Sequence, residues 1–275
     1  MTDTARLDAR LARRAFARAA AQYDASAVLQ REVQQRLLER LELLAIQPRV
    51  ILDAGCGTGQ GVHLLARHYR KARLLALDWA EPMAVAARRR QTWRRRWATI
   101  CADAQALPLA DASVDLIHSN LMLQWCEDLP RVFAQFRRVL KPHSALLFST
   151  FGPDTLHELR AAWESVDGYS HVNRFMDMHD IGDALVQNGF AEPVMDVERI
   201  TLTYADSLDL MRDLKAIGAH NVTAGRNHGL TGKARLQAFR AAYEQFRRDG
   251  VLPATYEVVY GMAWTPGAMP GVRIK

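Results

Sequence analysis

The chain reads as an α/β protein with a mostly parallel, seven-stranded sheet, helices on both faces and a helical insertion late in the chain. Three observations predict this. Short apolar stretches alternate with helical stretches between residues 49 and 151, a pattern that implies right-handed crossovers between parallel strands. The first stretch, Val50-Ile51-Leu52-Asp53-Ala54, runs directly into a loop carrying Gly55, Gly57 and Gly59, with a helix starting near Gln60. Successive strands close on an acid: Asp53, then Asp78, then Asp103.

The elements follow in order. Residues 26–45 place apolar side chains at helical spacing among many charges, so they form an amphipathic helix, and Pro48 ends it. The run at 49–54 is apolar and bounded by glycines, as a buried parallel strand should be. Glycines in the following loop allow a tight turn and a close approach of ligand to bare backbone. Helix 60–70, strand 73–78, helix 81–91 and strand 97–102 repeat the unit. A fourth strand spans Ser113–Ser119, and a helix spans Leu129–Val139. Lys141-Pro142-His143 turns into a fifth strand that runs through Phe151. Past Gly152 the pattern changes to helices at 153–166, 179–188, 207–217 and 232–248, interrupted by strands at Pro193–Tyr204 and Thr255–Trp264. No repeat or low-complexity linker divides the chain. It is expected to form one domain, residues 1–275: an N-terminal helical segment (1–48), a ligand-binding core (49–151), substrate-side helices with a strand (152–250), and a last strand and tail (251–275).

At 275 residues the chain can bury a full core, and no apolar run reaches membrane-spanning length. Three cysteines, Cys56, Cys101 and Cys126, are odd in number and unpatterned. They point to a reducing, cytoplasmic setting and away from a metal site. A net charge of +6 favours an acidic partner. The most basic stretch, Arg88 to Trp97, mixes arginines with Trp93 and Trp97. It is read as a solvated helix end leading into a strand, and as a surface on which a partner can dock.

The acids narrow the ligand. A carboxylate beside the glycine loop repels a dinucleotide pyrophosphate, which needs free amides and a helix N-terminus. Asp53 instead suits a cofactor with positive charge near its ribose, and S-adenosylmethionine, with its sulfonium and ammonium, fits. Asp78 stands where βαβ nucleotide folds place an acceptor for ribose hydroxyls. Asp103 is placed to accept from an adenine amino group.

Together, Asp53 through Gly59, Asp78, Ala102-Asp103-Ala104 with Leu107-Pro108-Leu109, and Leu140-Lys141-Pro142 resemble the Rossmann-like class I S-adenosylmethionine-dependent methyltransferases. The resemblance covers about residues 49–151. It implies that Asp53, Gly55, Gly57 and Gly59 line the methionyl end of the cofactor, Asp78 the ribose, and Asp103 with the Ala104 amide the adenine, with Trp79 and Met83 packed on the ring. Further motifs are Phe16 through Tyr23-Asp24 with Gln30, Ser119-Asn120-Leu121 with Gln124-Trp125, Asn173-Arg174-Phe175, Asp213 through Gly218, and Gly225-Arg226. In order and spacing these are similar to the malonyl-[acyl-carrier-protein] O-methyltransferases of biotin synthesis, nearly end to end. That resemblance implies carboxyl O-methylation, Asn120 at the cofactor, and an acidic carrier protein or malonyl-CoA as partner.

A malonyl carboxylate is ionised at neutral pH and needs no general base. What it needs is a group that orients it, and a planar cationic fork is expected. Arg174 is the first candidate, with Lys215 and Arg226 behind it. Tyr23 is expected to close over the cofactor and to act with Arg174 in the reaction. His118, alone at a strand end, is read as structural. Nucleic-acid methylation is disfavoured: Ser119-Asn120-Leu121-Met122 lacks the Asn-Pro-Pro-aromatic loop, and no Pro-Cys nucleophile is present. Two alternatives stand beside the enzyme reading: a protein-arginine hydroxylase serving respiratory-complex assembly, and a non-enzymatic nucleic-acid-binding module.

Overall fold

The computed structural model describes residues 7–267 apart from 220, 224, 227, 228 and 230. Strands β1 (Val50–Ala54), β2 (Arg73–Asp78), β3 (Ala98–Cys101), β4 (Val114–Asn120), β5 (Leu140–Phe151), β6 (Ala191–Tyr204) and β7 (Leu252–Trp264) form one sheet in the order β3-β2-β1-β4-β5-β7-β6. Only β7 runs against its neighbours, pairing antiparallel with β5 and β6. β1 pairs with both β2 and β4. The strand order therefore reverses beside β1, and a crevice opens at the carboxyl ends of β1 and β4, where doubly wound sheets bind ligands.

Both faces of the sheet are covered, so strand residues alternate between two cores. Ile51, Ala76, Leu147 and Val258 face the layer built by α3 (Val28–Glu42), α4 (Gln60–His68), α7 (His157–Glu164) and α10 (Lys233–Glu244). Leu52, Leu77, Phe148 and Val259 face α6 (Leu129–Val139) and α8 (Met178–Gln187), where Phe133, Phe136 and Leu185 are fully buried. α5 (Glu81–Arg89) packs on β2 and β3.

A third, smaller cluster roofs the crevice. Ala12 and Phe16 of α1 (Ala9–Ala19) meet Trp125, Trp79 and Val222, and the Phe16 and Trp125 rings meet edge to face at 5.0 Å. The roof is stitched down at three points. The Asp8 N–H donates to the Val222 carbonyl at 2.8 Å. The Val222 N–H donates to Asn173 Oδ1 at 3.2 Å. At Gly218, which follows α9 (Ser207–Ala216), a Cβ would stand 3.1 Å from the Ala15 backbone, so only glycine permits this approach.

The sequence placed every strand, with differences at the ends. The helix expected at 26–45 begins at Val28, because Ala27 breaks from helical geometry (φ −80°, ψ 49°) and separates it from the four-residue α2 (Tyr23–Ser26). The turn expected at 141–143 is an irregularity within β5: the register with β4 shifts between Val114 and Leu116, and His143 takes φ 57°. The Arg88–Trp97 stretch is the end of α5 followed by a solvated turn into β3, with Trp93 exposed under Arg94 and Trp97 buried.

Candidate active site

The glycine loop is braced against β2. Gly55 and Cys56 both donate their N–H to the Leu77 carbonyl, at 2.8 and 2.9 Å. The next residue of β2, Asp78, accepts from the Gly57 N–H at 3.0 Å and from the Ala80 N–H at 2.8 Å. All three loop glycines have positive φ, but they do different work. A Cβ on Gly55 would strike Met122, and one on Gly59 would stand 2.8 Å from Ala87 Cα, so those two permit packing. A Cβ on Gly57 would meet nothing within 4 Å. Gly57 thus gives the loop a bare face toward open space.

That space is a cavity, partly open to solvent, over the ends of β1, β2 and β4. Gly55, Gly57, Asp78, Trp79, Met83, Asp103, Ala104, Asn120 and Tyr23 line it. Phe16, Met122, Trp125 and Cys126 are also part of its wall. Of these, Met122 and Cys126 carried no motif in the sequence; they arrive with the β4–α6 loop. Asp103 caps the turn that holds Ala104, accepting from the Gln105 N–H at 2.9 Å. Burial pushes Asp78 up to about 6, against the pull of its two N–H donors. Burial, with Asp78 and Asp24 nearby, raises the Tyr23 phenol further above its ordinary range, so Tyr23 stays a donor. Burial also pushes the Cys126 thiol up to about 12, which leaves it protonated and no nucleophile.

A smaller cavity adjoins at the loop and shares Tyr23, Gly55, Gly57 and Asn120 with the first. Asp53 sits here, not on the main cavity. His118, its neighbour across β4, is fully buried: its Nδ1 lies 2.7 Å from Asp53 Oδ1 and its Nε2 3.1 Å from the Gln34 amide. The amide donates to Nε2, so Nδ1–H donates to Asp53. The other carboxylate oxygen, Asp53 Oδ2, is buried without a partner. Gly59 lines neither cavity; it lets α4 and α5 close on each other.

These features fit an adenosyl cofactor with an amino-acid tail. Buried, partnerless Asp53 Oδ2 suits an ammonium. α3 begins without a side-chain cap, and Ala27, Gln30 and Arg31 of its first turn line the small cavity, which suits a carboxylate. Asp78 and Asp103 offer acceptors to ribose and adenine donors.

A second chamber lies beyond Trp125, which it shares with the main cavity. Phe151, Val172, Phe175, Leu214 and Tyr256 make it largely apolar, and among the described residues no lysine or arginine lines it. The expectation for Arg174 needs correcting here. Residues 172–176 run without regular structure: Val172, Asn173 and Phe175 line the chamber, while Arg174 is exposed and lines a neighbouring surface cavity. Lys215 is exposed on α9. The Arg226 guanidinium donates to the Thr223 carbonyl at 3.1 Å. The structure brings none of the three to either cofactor cavity.

Tyr23 and Asp24 are held down from outside. The Asp24 carboxylate accepts from Thr58 Oγ1 at 2.6 Å and pairs with Arg90, whose Nε donates to the Thr58 carbonyl at 2.9 Å. α2 is thereby tied to the glycine loop and α5.

The methyltransferase-domain family matches residues 52–148. A malonyl-[acyl-carrier protein] O-methyltransferase from Gallionella capsiferriformans is 56% identical over 94% of this chain and 92% of its own length. One from a Methylovorus species is 54% identical over 95% of this chain and 90% of its own. Among solved structures, a SAM-dependent methyltransferase from Thermotoga maritima superposes with a TM-score of 0.54 at 16% identity, covering 92% of this chain and 99% of that one, a likeness of fold. The chain belongs to the malonyl-[acyl-carrier protein] O-methyltransferase family.

Proposed function

We propose that this protein methylates the free carboxylate of a malonyl thioester on acyl carrier protein, using S-adenosylmethionine, in an early step of biotin synthesis. One observation carries the reading. Identity to the family extends over 94% of the chain, well past the matched core at 52–148 and into the helices around the second chamber. In this reading 49–151 is the cofactor half and 152–250 the substrate half of one domain.

Asp53, Gly55 and Gly57 would hold the methionyl end, Asp78 the ribose, and Asp103, Ala104, Trp79 and Met83 the adenine, with Asn120 and Tyr23 on the wall between. When bound, S-adenosylmethionine would supply a methyl group on cationic sulfur for transfer to a carboxylate oxygen, the new O–CH3 bond replacing the S–CH3 bond, whose electron pair would leave with the neutral thioether sulfur. No proton moves, so the site needs no base. Neither His118 nor Cys126 is free to act as one: His118 is hydrogen-bonded on both ring nitrogens and Cys126 stays protonated. The chain's contribution is to align two ligands and exclude water. The Phe16–Trp125 roof and α2 do the excluding. Arg174 and Lys215, exposed on the substrate side, suit steering of an acidic carrier.

The test is methyl transfer from labelled S-adenosylmethionine to malonyl-acyl carrier protein and to malonyl-CoA. The expected product is the malonyl methyl ester, and the gene should restore growth without biotin to a methyltransferase-deficient auxotroph. Cofactor-loaded protein that yields no ester from either thioester would overturn the reading.

A further inference from the structure

Gln30 stands where two compartments meet. It lies in the first turn of α3 and lines both the small cavity at Asp53 and the apolar second chamber. Its backbone is fixed from the sheet: Asn120 Nδ2 donates to the Gln30 carbonyl at 3.1 Å, and Ser149 Oγ donates to Asn120 Oδ1 at 2.7 Å. The ends of β4 and β5 therefore set the position of this turn. Gln30 Oε1 is buried and has no partner, like Asp53 Oδ2 in the same cavity. A buried orphan amide calls for an explanation, and a ligand on its acceptor side supplies one. The amide then still has two N–H donors to offer.

A carboxylate brought into apolar surroundings must be hydrogen-bonded. Among the described residues no lysine or arginine lines the second chamber, and its polar side chains Thr155, His171, Asn173 and Asn221 already hydrogen-bond within the protein. A neutral donor also suits the reaction. The acceptor loses its negative charge as the ester forms, so a cation would stabilise the starting carboxylate more than the transition state and slow the step. An amide orients the oxygen while favouring the ground state less.

We propose that Gln30 is the residue that orients the acceptor: its side-chain N–H donates to the reacting carboxylate of the malonyl group. This rests on the function proposed above, and the experiment separates the two. Gln30→Met and Gln30→Glu are titrated with S-adenosylhomocysteine. With that ligand saturating, they are then titrated with the malonyl thioester that the wild type esterifies, and with its methyl ester. Gln30→Met also removes an acceptor beside the cofactor's methionyl end, so it should weaken S-adenosylhomocysteine; with that ligand saturating, it should bind the malonyl thioester about tenfold or more weakly but the methyl ester within about threefold of wild type. Gln30→Glu should lose about 100-fold for the malonyl thioester through like-charge repulsion, yet bind the uncharged methyl ester nearly as wild type does. Unchanged malonyl affinity in both variants would overturn the proposal. So would equal losses for all three ligands, which mark a purely structural role. A wild type that esterifies no malonyl thioester would overturn the functional reading instead.

Discussion

Asp78 makes cofactor affinity depend on pH in a way that can be worked out in advance. Its carboxyl is pushed from 3.8 up to about 6 by burial, with Asp53 adding to the rise and the Gly57 and Ala80 N–H groups opposing it. A raised folded value means that this group's contribution to stability is fully present below about pH 4 and lost as pH rises through about 6. Two units correspond to about 3 kcal/mol that the ligand-free fold gives up by keeping Asp78 ionised at neutral pH. Ribose hydroxyls donating to Asp78 favour the ionised form, so the cofactor must expel a proton to bind below pH 6. If only the carboxylate binds, affinity at pH 7.5 is nearly maximal and at pH 5 about tenfold weaker. Asp78→Asn removes both the charge and this slope. It also turns an NH2 toward one of the two backbone donors, and losing charge-assisted acceptors should weaken binding by about 100-fold at pH 7.5. Calorimetric titration with S-adenosylhomocysteine between pH 5 and 8, with circular dichroism to confirm folding, reads both effects. A wild-type affinity flat across that range, or a slope that persists in Asp78→Asn, would refute the reasoning.

The loop glycines should separate by variant. Gly59→Ala drives a Cβ against the α5 backbone and should lower the melting temperature by several degrees, whereas Gly57→Ala costs about 1–2 kcal/mol of left-handed strain but mainly weakens cofactor binding. Melting curves and affinities measured together distinguish the two. Arg174→Ala should change kcat for a malonyl thioester less than about threefold, because the side chain stands outside both chambers and acts at most through steering; a hundredfold loss of kcat would place it at the chemistry after all. Arg90→Ala should barely move the melting temperature, since its pair with Asp24 is largely exposed, but should speed cofactor release by loosening α2. Stopped-flow release rates equal to wild type would show that α2 does not gate the cavity.

The sheet was legible because its signals are local and repeated. Ile51 and Leu52 belong to opposite cores, as do Leu147 and Phe148, and a strand buried on both faces has to read as a continuous apolar run. The cofactor half of the site was legible for the same reason: Asp53, Asp78 and Asp103 end strands, and the sheet brings their ends together. The division of labour was not. That Asp53 lies in the small cavity bound to His118, and that Gly59 serves helix packing, depends on what stands across the sheet and on α5. The substrate half was least legible. Charge chemistry pointed to Arg174, but in an irregular segment the direction of a side chain is set by its neighbours, and buried Asn173 with half-buried Phe175 turns Arg174 outward. Gln30 entered the sequence reading only as part of the motif with Phe16 through Asp24, with no role of its own, because a glutamine in a helix is ordinary; its buried, partnerless Oε1 in the cavity of Asp53 is what sets it apart.

The central claim is that the strand ends at the β1–β4 switch hold one adenosyl ligand facing the apolar chamber. A crystal structure with S-adenosylhomocysteine tests it most directly. The adenosyl group should lie between Gly57, Asp78 and Asp103, with the sulfur directed toward Gln30 and Trp125. Ligand density elsewhere on the protein, or Asp78 and Asp103 without contact to it, would contradict the account.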